Sequence, residues 1–188
     1  MSEKKQRMTT PVGECRWAHL NTPKAPFKDE HGREKGTAKY QVDVLFDPKQ
    51  PAWNAWAKEL AAKIKALPEV KDKKTDTVTP KQNPLKKELD SNDQPTGNYY
   101  CTFKTSDKFK PAIFDSWGKP FPGEVNIGNG SKIRVSYVES PYSAFGGGIV
   151  MYLNAVQVIE LVEFKAQSAS AYGFEESAPP ASEEDAPF

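Results

Sequence analysis

Residues 98–121, NYYCTFKTSDKFKPAIFDSWGKPF, set Tyr99, Tyr100, Phe103, Phe109, Phe114, Trp117 and Phe121 among Lys104, Lys108, Lys110 and Lys119. Aromatic faces beside ammonium groups suit a partner that offers flat bases on an anionic backbone, because stacking and phosphate pairing then act together. Aromatics in a β protein also fill cores, and alternation separates the two roles. A strand over residues 99–104 puts Tyr99, Cys101 and Phe103 on one face and Tyr100, Thr102 and Lys104 on the other. The second face carries an aromatic, a hydroxyl and a cation, and it is the expected binding surface.

Other chemistries find less to work with. Cys15 and Cys101 are the only cysteines, too few for a disulfide framework and without a CxxC pair, so two reduced, buried thiols are expected. His19 and His31 are the only histidines; a zinc site has few ligands to draw on, and no metal or other cofactor is expected. The chain has no G-x-S-x-G elbow and no G-x-x-x-x-G-K-[ST] loop, which removes the usual frames for a serine nucleophile and for a nucleotide phosphate. A nuclease would have to gather carboxylates such as Asp43, Asp107 and Asp115 around metal ions, and no motif links them. No catalytic residue is assigned, and the chain is read as a binding protein rather than an enzyme.

The net charge of +1 hides an asymmetry. Residues 1–174 carry 26 cations against 20 anions, a net of +6, while residues 175–188 hold five acids and no Lys or Arg. A basic body with an acidic tail points to a polyanionic partner and to competition between tail and partner. The N-terminus, MSEKKQRM, lacks the apolar run of a signal peptide. The longest apolar stretch, residues 149–162, is interrupted by Asn154, Gln157 and Glu160 and is too short to span a bilayer. A soluble, cytoplasmic protein without membrane contact is expected.

The elements that must position these residues can be read in order. Residues 1–10 read as a flexible basic arm and residues 11–164 as one domain. Residues 12–20 form a first strand with Gly13, Cys15, Trp17 and His19 on one side; Trp17 belongs either to the core or to the binding face. Residues 21–36 read as a loop. Residues 38–46 alternate Tyr40, Val42, Val44 and Phe46 with Lys39, Gln41 and Asp43, as a half-buried antiparallel strand does. Asp47-Pro48 then marks a helix start. Trp53, Trp56, Leu60, Ile64 and Leu67 form one apolar stripe that anchors this helix on a sheet, and Pro68 ends it. Residues 69–97 show no periodicity and read as a long loop, solvated or closing as a flap.

Residues 132–139 and 149–164 supply further strands, the second long enough for one bent strand or two. Gly128-Asn129-Gly130 suits a tight turn, and Gly146-Gly147-Gly148 reads as a mobile connection. One helix among five or more strands makes the class mainly β. Residues 165–188, rich in Ser, Ala and Pro, cannot build a core and read as a disordered acidic tail. Its end, Glu183, Glu184, Asp185, Pro187 and Phe188, suits an apolar pocket ringed by cations on a partner protein.

Two parts of the chain resemble known single-stranded DNA-binding proteins. KPAIFDSWGKPFPGEVNIGNGSKIRVSYVESPY, continuing through FGGGIVMYLNAVQVIEL, resembles the central block of a tailed-phage family of the OB-fold type. The shared features are Lys110, Pro111 and Asp115; Gly130, Arg134 and Val135; and Gly146 to Gly148 ahead of Tyr152, Leu153, Asn154, Ala155, Val156 and Gln157, with NPLKKELD as the lead-in. The ending EEDAPF is similar to the D-D-I-P-F tip of bacterial single-stranded DNA-binding proteins, with Ala186 where that tip has isoleucine.

The resemblance implies an OB-fold-like five-stranded barrel that holds oligonucleotides across its sheet face. It also implies sequence-independent binding and protection of single-stranded DNA in phage replication or recombination, inside the host cell. The tail would compete for the DNA groove and recruit phage or host replication proteins. Alternation and charge, rather than the resemblance, nominate the contacts: Trp17, Tyr100 and Trp117 for stacking, and Lys104, Lys108, Lys110, Lys119 and Arg134 for phosphates. A DNA-metabolism enzyme and a β-barrel phage structural or interaction protein are the alternatives. The assembly state is left open, a homodimer among the options.

Overall fold

The computed structural model describes residues 6–123 and 125–164. The tail residues Glu183, Glu184, Asp185, Pro187 and Phe188 lie outside the described residues, as does the rest of the segment read as disordered. In chain order the strands are β1 (Arg7–Thr9), β2 (Gly13–Lys24), β3 (Phe27–Lys28), β4 (Glu34–Lys35) and β5 (Lys39–Phe46). Helix α1 (Pro51–Ala66) follows, then β6 (Lys86–Leu89), β7 (Pro95–Ser106), β8 (Ala112–Phe114), β9 (Lys132–Tyr142) and β10 (Gly148–Glu160).

Five of these strands close a ring. β2 pairs β5, β5 pairs β7, β7 pairs β10, β10 pairs β9, and β9 returns to β2. Only the β7–β10 pairing is parallel within this ring, and the protein is mainly β with an OB-fold-like five-stranded barrel. Alternation decides what goes inside. Val42, Val44 and Phe46 of β5, Cys101 and Phe103 of β7, Ile133, Val135 and Tyr137 of β9, and Met151, Leu153 and Val156 of β10 are all buried. The faces expected for residues 99–104 are the observed ones: Cys101 and Phe103 are buried, Tyr100 and Thr102 half-buried, and Lys104 exposed.

Helix α1 plugs the barrel end where β5 leaves it. Its buried residues are Trp53, Trp56, Leu60 and Ile64, the expected stripe. Trp56 lies 5.1 Å from Phe46 between ring centroids and meets Tyr137 edge-on at 6.4 Å, and its indole N–H donates to the Tyr137 hydroxyl at 2.7 Å. Trp53 packs against Tyr99 at 5.2 Å. The helix begins later than Asp47-Pro48 suggests. Asp47 instead organises a preceding turn, its carboxylate accepting the Lys49 N–H and its carbonyl the Gln50 N–H. Pro51, which has no N–H to lose, takes the first helical position.

Four other expectations are corrected. Residues 7–10 are not a free arm: β1 pairs β9, and buried Thr10 exchanges two bonds with Val135, N–H to carbonyl at 3.0 Å and hydroxyl from N–H at 3.1 Å. The segment 21–36 contains the end of β2 and the β3–β4 hairpin, whose turn is held by the Asp29 carboxylate accepting from the His31 and Arg33 N–H groups. The segment 69–97 is partly strand, since β6 pairs the outer end of β7. Finally, Gly146 to Gly148 is a packed turn, not a mobile link. A Cβ on Gly146 would sit 2.2 Å from the Pro80 carbonyl oxygen, and Gln82 N–H donates to the Gly147 carbonyl at 2.8 Å. Only glycine permits that approach at φ +90°.

Cys15 and Cys101 are free, buried thiols separated by Val44 on the intervening strand. Burial, with the Asp43 charge adding to it, pushes both up to about 12. Unfolded thiols ionise near pH 8.5, so above that pH the folded state holds protons that the unfolded state releases, and stability falls as pH rises toward 12. A thiol reagent at pH 8 is therefore expected to titrate neither cysteine in the folded protein and both in guanidinium, with the melting temperature dropping between about pH 9 and 11. Fast reaction of either thiol in the native protein would contradict the barrel packing.

Candidate nucleic-acid interface

The site forms where β10 changes partner. Tyr152 pairs Lys104 of β7, and three residues later Ala155 to Gln157 pair Ala112 to Phe114 of β8. A bulge at Asn154 accompanies the switch. The chain between β7 and β8, residues 107–111, crosses this gap and carries Lys108, Phe109 and Lys110 over it. The result is a groove of about 770 Å³ whose lining includes Arg7, Lys108, Lys110, Phe109, Phe114 and Tyr152. Phe109 is 69% exposed and Tyr152 44%. Leaving such rings in water costs apolar burial that the core would have used, and here they stand among cations.

Barrel register extends the groove into a surface. One outward row runs Arg7, Val138, Tyr152, Lys104, Gln41 and His19. Another runs Arg134, Gln157 and Phe114. Lys104, Lys108, Lys110 and Arg134 therefore gather around Tyr152 and Phe114.

A hairpin at the groove's end presents Trp117 and Lys119. Phe114 pairs Pro120, and the Phe121 N–H donates to the Ile113 carbonyl at 2.9 Å. One Asp115 carboxylate oxygen accepts the Trp117 N–H at 3.0 Å and the Lys119 N–H at 2.8 Å. The Gln157 amide donates to the carbonyls of Asp115 and Ser116, both at 3.2 Å, which ties the turn to β10. The backbone is thus pinned while the Trp117 indole remains 85% exposed. Asp115→Ala is expected to loosen the turn and cost about 1 kcal/mol of stability, with Asp115→Asn restoring most of it because an amide oxygen still accepts both N–H groups. Equal loss in the two variants, by denaturant titration, would rule out the hydrogen-bonding role.

Two nominated rings lie elsewhere. Tyr100 sits roughly 13 Å along β7 from Lys104 at about 3.3 Å per residue, half-buried between Leu45 and Lys86 in the pairing. Trp17 is on neither the expected core face nor this groove. Arg16 pairs Asp43 but His19 pairs Gln41, so β2 carries one extra residue, and Trp17 adopts φ +50° and is 66% exposed. The bulge reverses the phase of the strand, which a strict alternation reading over residues 12–20 does not detect. Arg7, Phe109, Phe114 and Tyr152 were not nominated. Phe109, Phe114 and Tyr152 stand in aromatic and motif stretches already visible in the sequence, and alternation along β10 (Met151 and Leu153 in, Tyr152 out) was the available signal for the last.

The aspartates of the nuclease alternative have separate surroundings. Asp115 holds the hairpin turn, Asp107 accepts from the Ser106 hydroxyl at 2.9 Å, and Asp43 lies between Arg16 and Thr102 on the barrel wall. Among the described residues no three His, Cys, Asp or Glu side chains gather to hold a metal ion.

The fold is that of phage-encoded single-stranded DNA-binding proteins. The chain superposes on the crystal structure of gp2.5, a single-stranded DNA-binding protein encoded by bacteriophage T7, with a TM-score of 0.60, 22% identity, and 95% of this chain covering 100% of that one. It also superposes on the single-stranded DNA-binding protein from bacteriophage Enc34 in complex with single-stranded DNA, with a TM-score of 0.57, 19% identity, and 84% of this chain matching 88% of that one. No protein-family profile and no curated protein sequence matches the chain. No helix among the described residues is long and apolar enough to cross a membrane.

Proposed function

We propose that this protein binds single-stranded DNA without sequence preference and shields it during phage replication or recombination. The observation that carries the reading is the groove itself: exposed Phe109 and Tyr152 held among Arg7, Lys104, Lys108 and Lys110 on the barrel wall. Rings take any base on their faces, and the cations track phosphates without reading sequence. The fold shared with two phage single-stranded DNA-binding proteins supports the same reading. The test is an anisotropy series with poly-dT, poly-U and duplex of equal length across salt. Tight, salt-sensitive poly-dT binding and much weaker duplex binding are expected. No binding of poly-dT at low salt would leave a β-barrel structural or interaction protein as the better account.

The acidic tail completes the proposal. Five acids in residues 175–188 oppose a body of net charge +6, so the tail competes with DNA for the cationic groove. DNA binding then releases the tail, with Phe188, to a replication or recombination protein. Removing residues 175–188 is expected to tighten poly-dT binding at low salt and to change little above about 0.5 M, where screening reaches only a few ångströms. Unchanged low-salt affinity would remove the competition from the proposal.

A further inference from the structure

We infer that the cleft beside Trp17 is a second nucleobase station, reached by the same DNA strand after it has filled the Tyr152 groove; the inference rests on the single-stranded DNA reading above. Trp17 is held in place by a dedicated arrangement. Its backbone N–H donates to the Asn129 side-chain oxygen at 2.8 Å, and Asn129 belongs to the Gly128-Asn129-Gly130 turn. That turn is wedged between β2 and the segment after β10. Gly130 N–H donates to the Cys15 carbonyl at 3.0 Å, Gly128 N–H donates to the Val162 carbonyl at 2.7 Å, and a Cβ on Gly128 would lie 2.8 Å from that same oxygen. The left-handed backbone at a bulky residue is a rare conformation that surrounding structure must impose. Here it lifts an indole out of a strand and leaves it 66% exposed.

The cleft under the indole is about 840 Å³, with Asn21, Val125, Val162 and Phe164 among its walls, and Phe164 is itself 66% exposed. The Asn21 amide donates to the Val125 carbonyl and so joins two of those walls. Among the described residues no Lys or Arg lines it, and Glu163 is the one acid. Such a cleft suits a flat, neutral ring and disfavours a phosphate, the reverse of the Tyr152 groove with its three lining cations.

Register joins the two places. His19 lines the cleft and ends the outward row that begins at Arg7 and passes through Tyr152, Lys104 and Gln41. From Tyr152 to His19 is three strand spacings, roughly 14 Å at about 4.8 Å each, with Lys104 one spacing from Tyr152 and placed to hold a phosphate between the two. A strand crossing the barrel at right angles to its strands meets rings at both ends and a cation between them. A very short oligonucleotide occupies the groove alone, whereas one near the middle of the usual range, about 4–16 nucleotides per barrel, reaches both.

The test measures dT4 and dT12 affinities by anisotropy for the full chain and its Trp17→Ala, Trp17→Phe, Phe164→Ala and Tyr152→Ala variants, with melting curves to check folding. Trp17→Ala is expected to weaken dT12 by about fivefold or more while leaving dT4 within about twofold. Trp17→Phe should recover most of the loss, Phe164→Ala should repeat the length dependence, and Tyr152→Ala should weaken both oligonucleotides. In protein carrying 5-fluorotryptophan, the resonance absent from Trp17→Phe should shift on adding dT12 and stay in place with dT4. Unchanged dT12 affinity in folded Trp17→Ala, or equal loss for both lengths, overturns the second station while leaving the groove standing. Failure of the unmodified protein to bind either oligonucleotide overturns both.

Discussion

Alanine at Lys104, Lys108 and Lys110 together is expected to weaken poly-dT binding at 50 mM salt by roughly two to three orders of magnitude. The size follows from counterion release. Each phosphate neutralised on a single strand contributes about 0.7 to the slope of log affinity against log salt, so three lost cations remove about 2 from the slope and, at low salt, nearly one decade each. The structure makes these three a set. Lys108 and Lys110 line the groove, and Lys104 stands beside Tyr152 in the β7–β10 pairing. Affinity should converge with that of the unmodified protein as salt rises, because the loss is electrostatic. An unchanged slope in the folded triple variant would mean that the phosphates run elsewhere on the barrel. A control with Lys58 and Lys65 replaced, both exposed on helix α1 away from the groove, should leave the slope nearly intact.

The second large effect is expected at Tyr152, and it should have the opposite salt signature. Base–aromatic stacking is worth about 1–3 kcal/mol per base by alanine substitution, so Tyr152→Ala should weaken poly-dT binding roughly 5- to 150-fold. No charge is removed, so the slope against salt should stay where it was. Stability should change little, because the ring is 44% exposed and its strand neighbours Met151 and Leu153 supply the core contacts. Tyr152→Phe should retain most of the affinity, since the stacking face survives and only the hydroxyl is lost. A loss in Tyr152→Phe as large as in Tyr152→Ala would point to a hydrogen bond from the hydroxyl. Loss confined to stability would return the ring to a packing role.

The two signatures together separate what each half of the groove does. Cations set long-range attraction and salt response, while rings set the contact that remains when salt has screened the charges. The hairpin of Asp115 and Trp117 and the bulge of Trp17 show a shared device: a short polar side chain, Asp115 or Asn129, accepts backbone N–H groups so that the neighbouring indole can stand in solvent without the loop collapsing over it.

Some of this was legible without coordinates. The stripe Trp53, Trp56, Leu60 and Ile64 has one helical period, and no arrangement other than a buried helix face satisfies it. The alternation through Tyr100, Thr102 and Lys104 likewise assigns an outward face wherever that strand sits. The lysines of residues 104–119 were identifiable by charge alone. Less of the site's shape was legible. Trp17 turns outward because a bulge shifts its strand by one residue, and its backbone N–H is held by an asparagine 112 positions away in the chain. Arg7 looked like part of a free arm because three residues carry too little pattern to declare a strand; pairing with β9 and the buried Thr10 hold them. The glycines 146–148 looked mobile because local composition does not register that Pro80 presses against them.

Local periodicity and composition, properties of neighbouring residues, determined by themselves that this chain would be a mainly β protein with one packed helix, a basic body and aromatic–lysine strands. Which rings and cations share a groove was decided only in the tertiary structure. The groove exists because β10 leaves β7 for β8 after Tyr152, and strand exchange of that kind depends on contacts between residues far apart in sequence, whose energies no single segment contains.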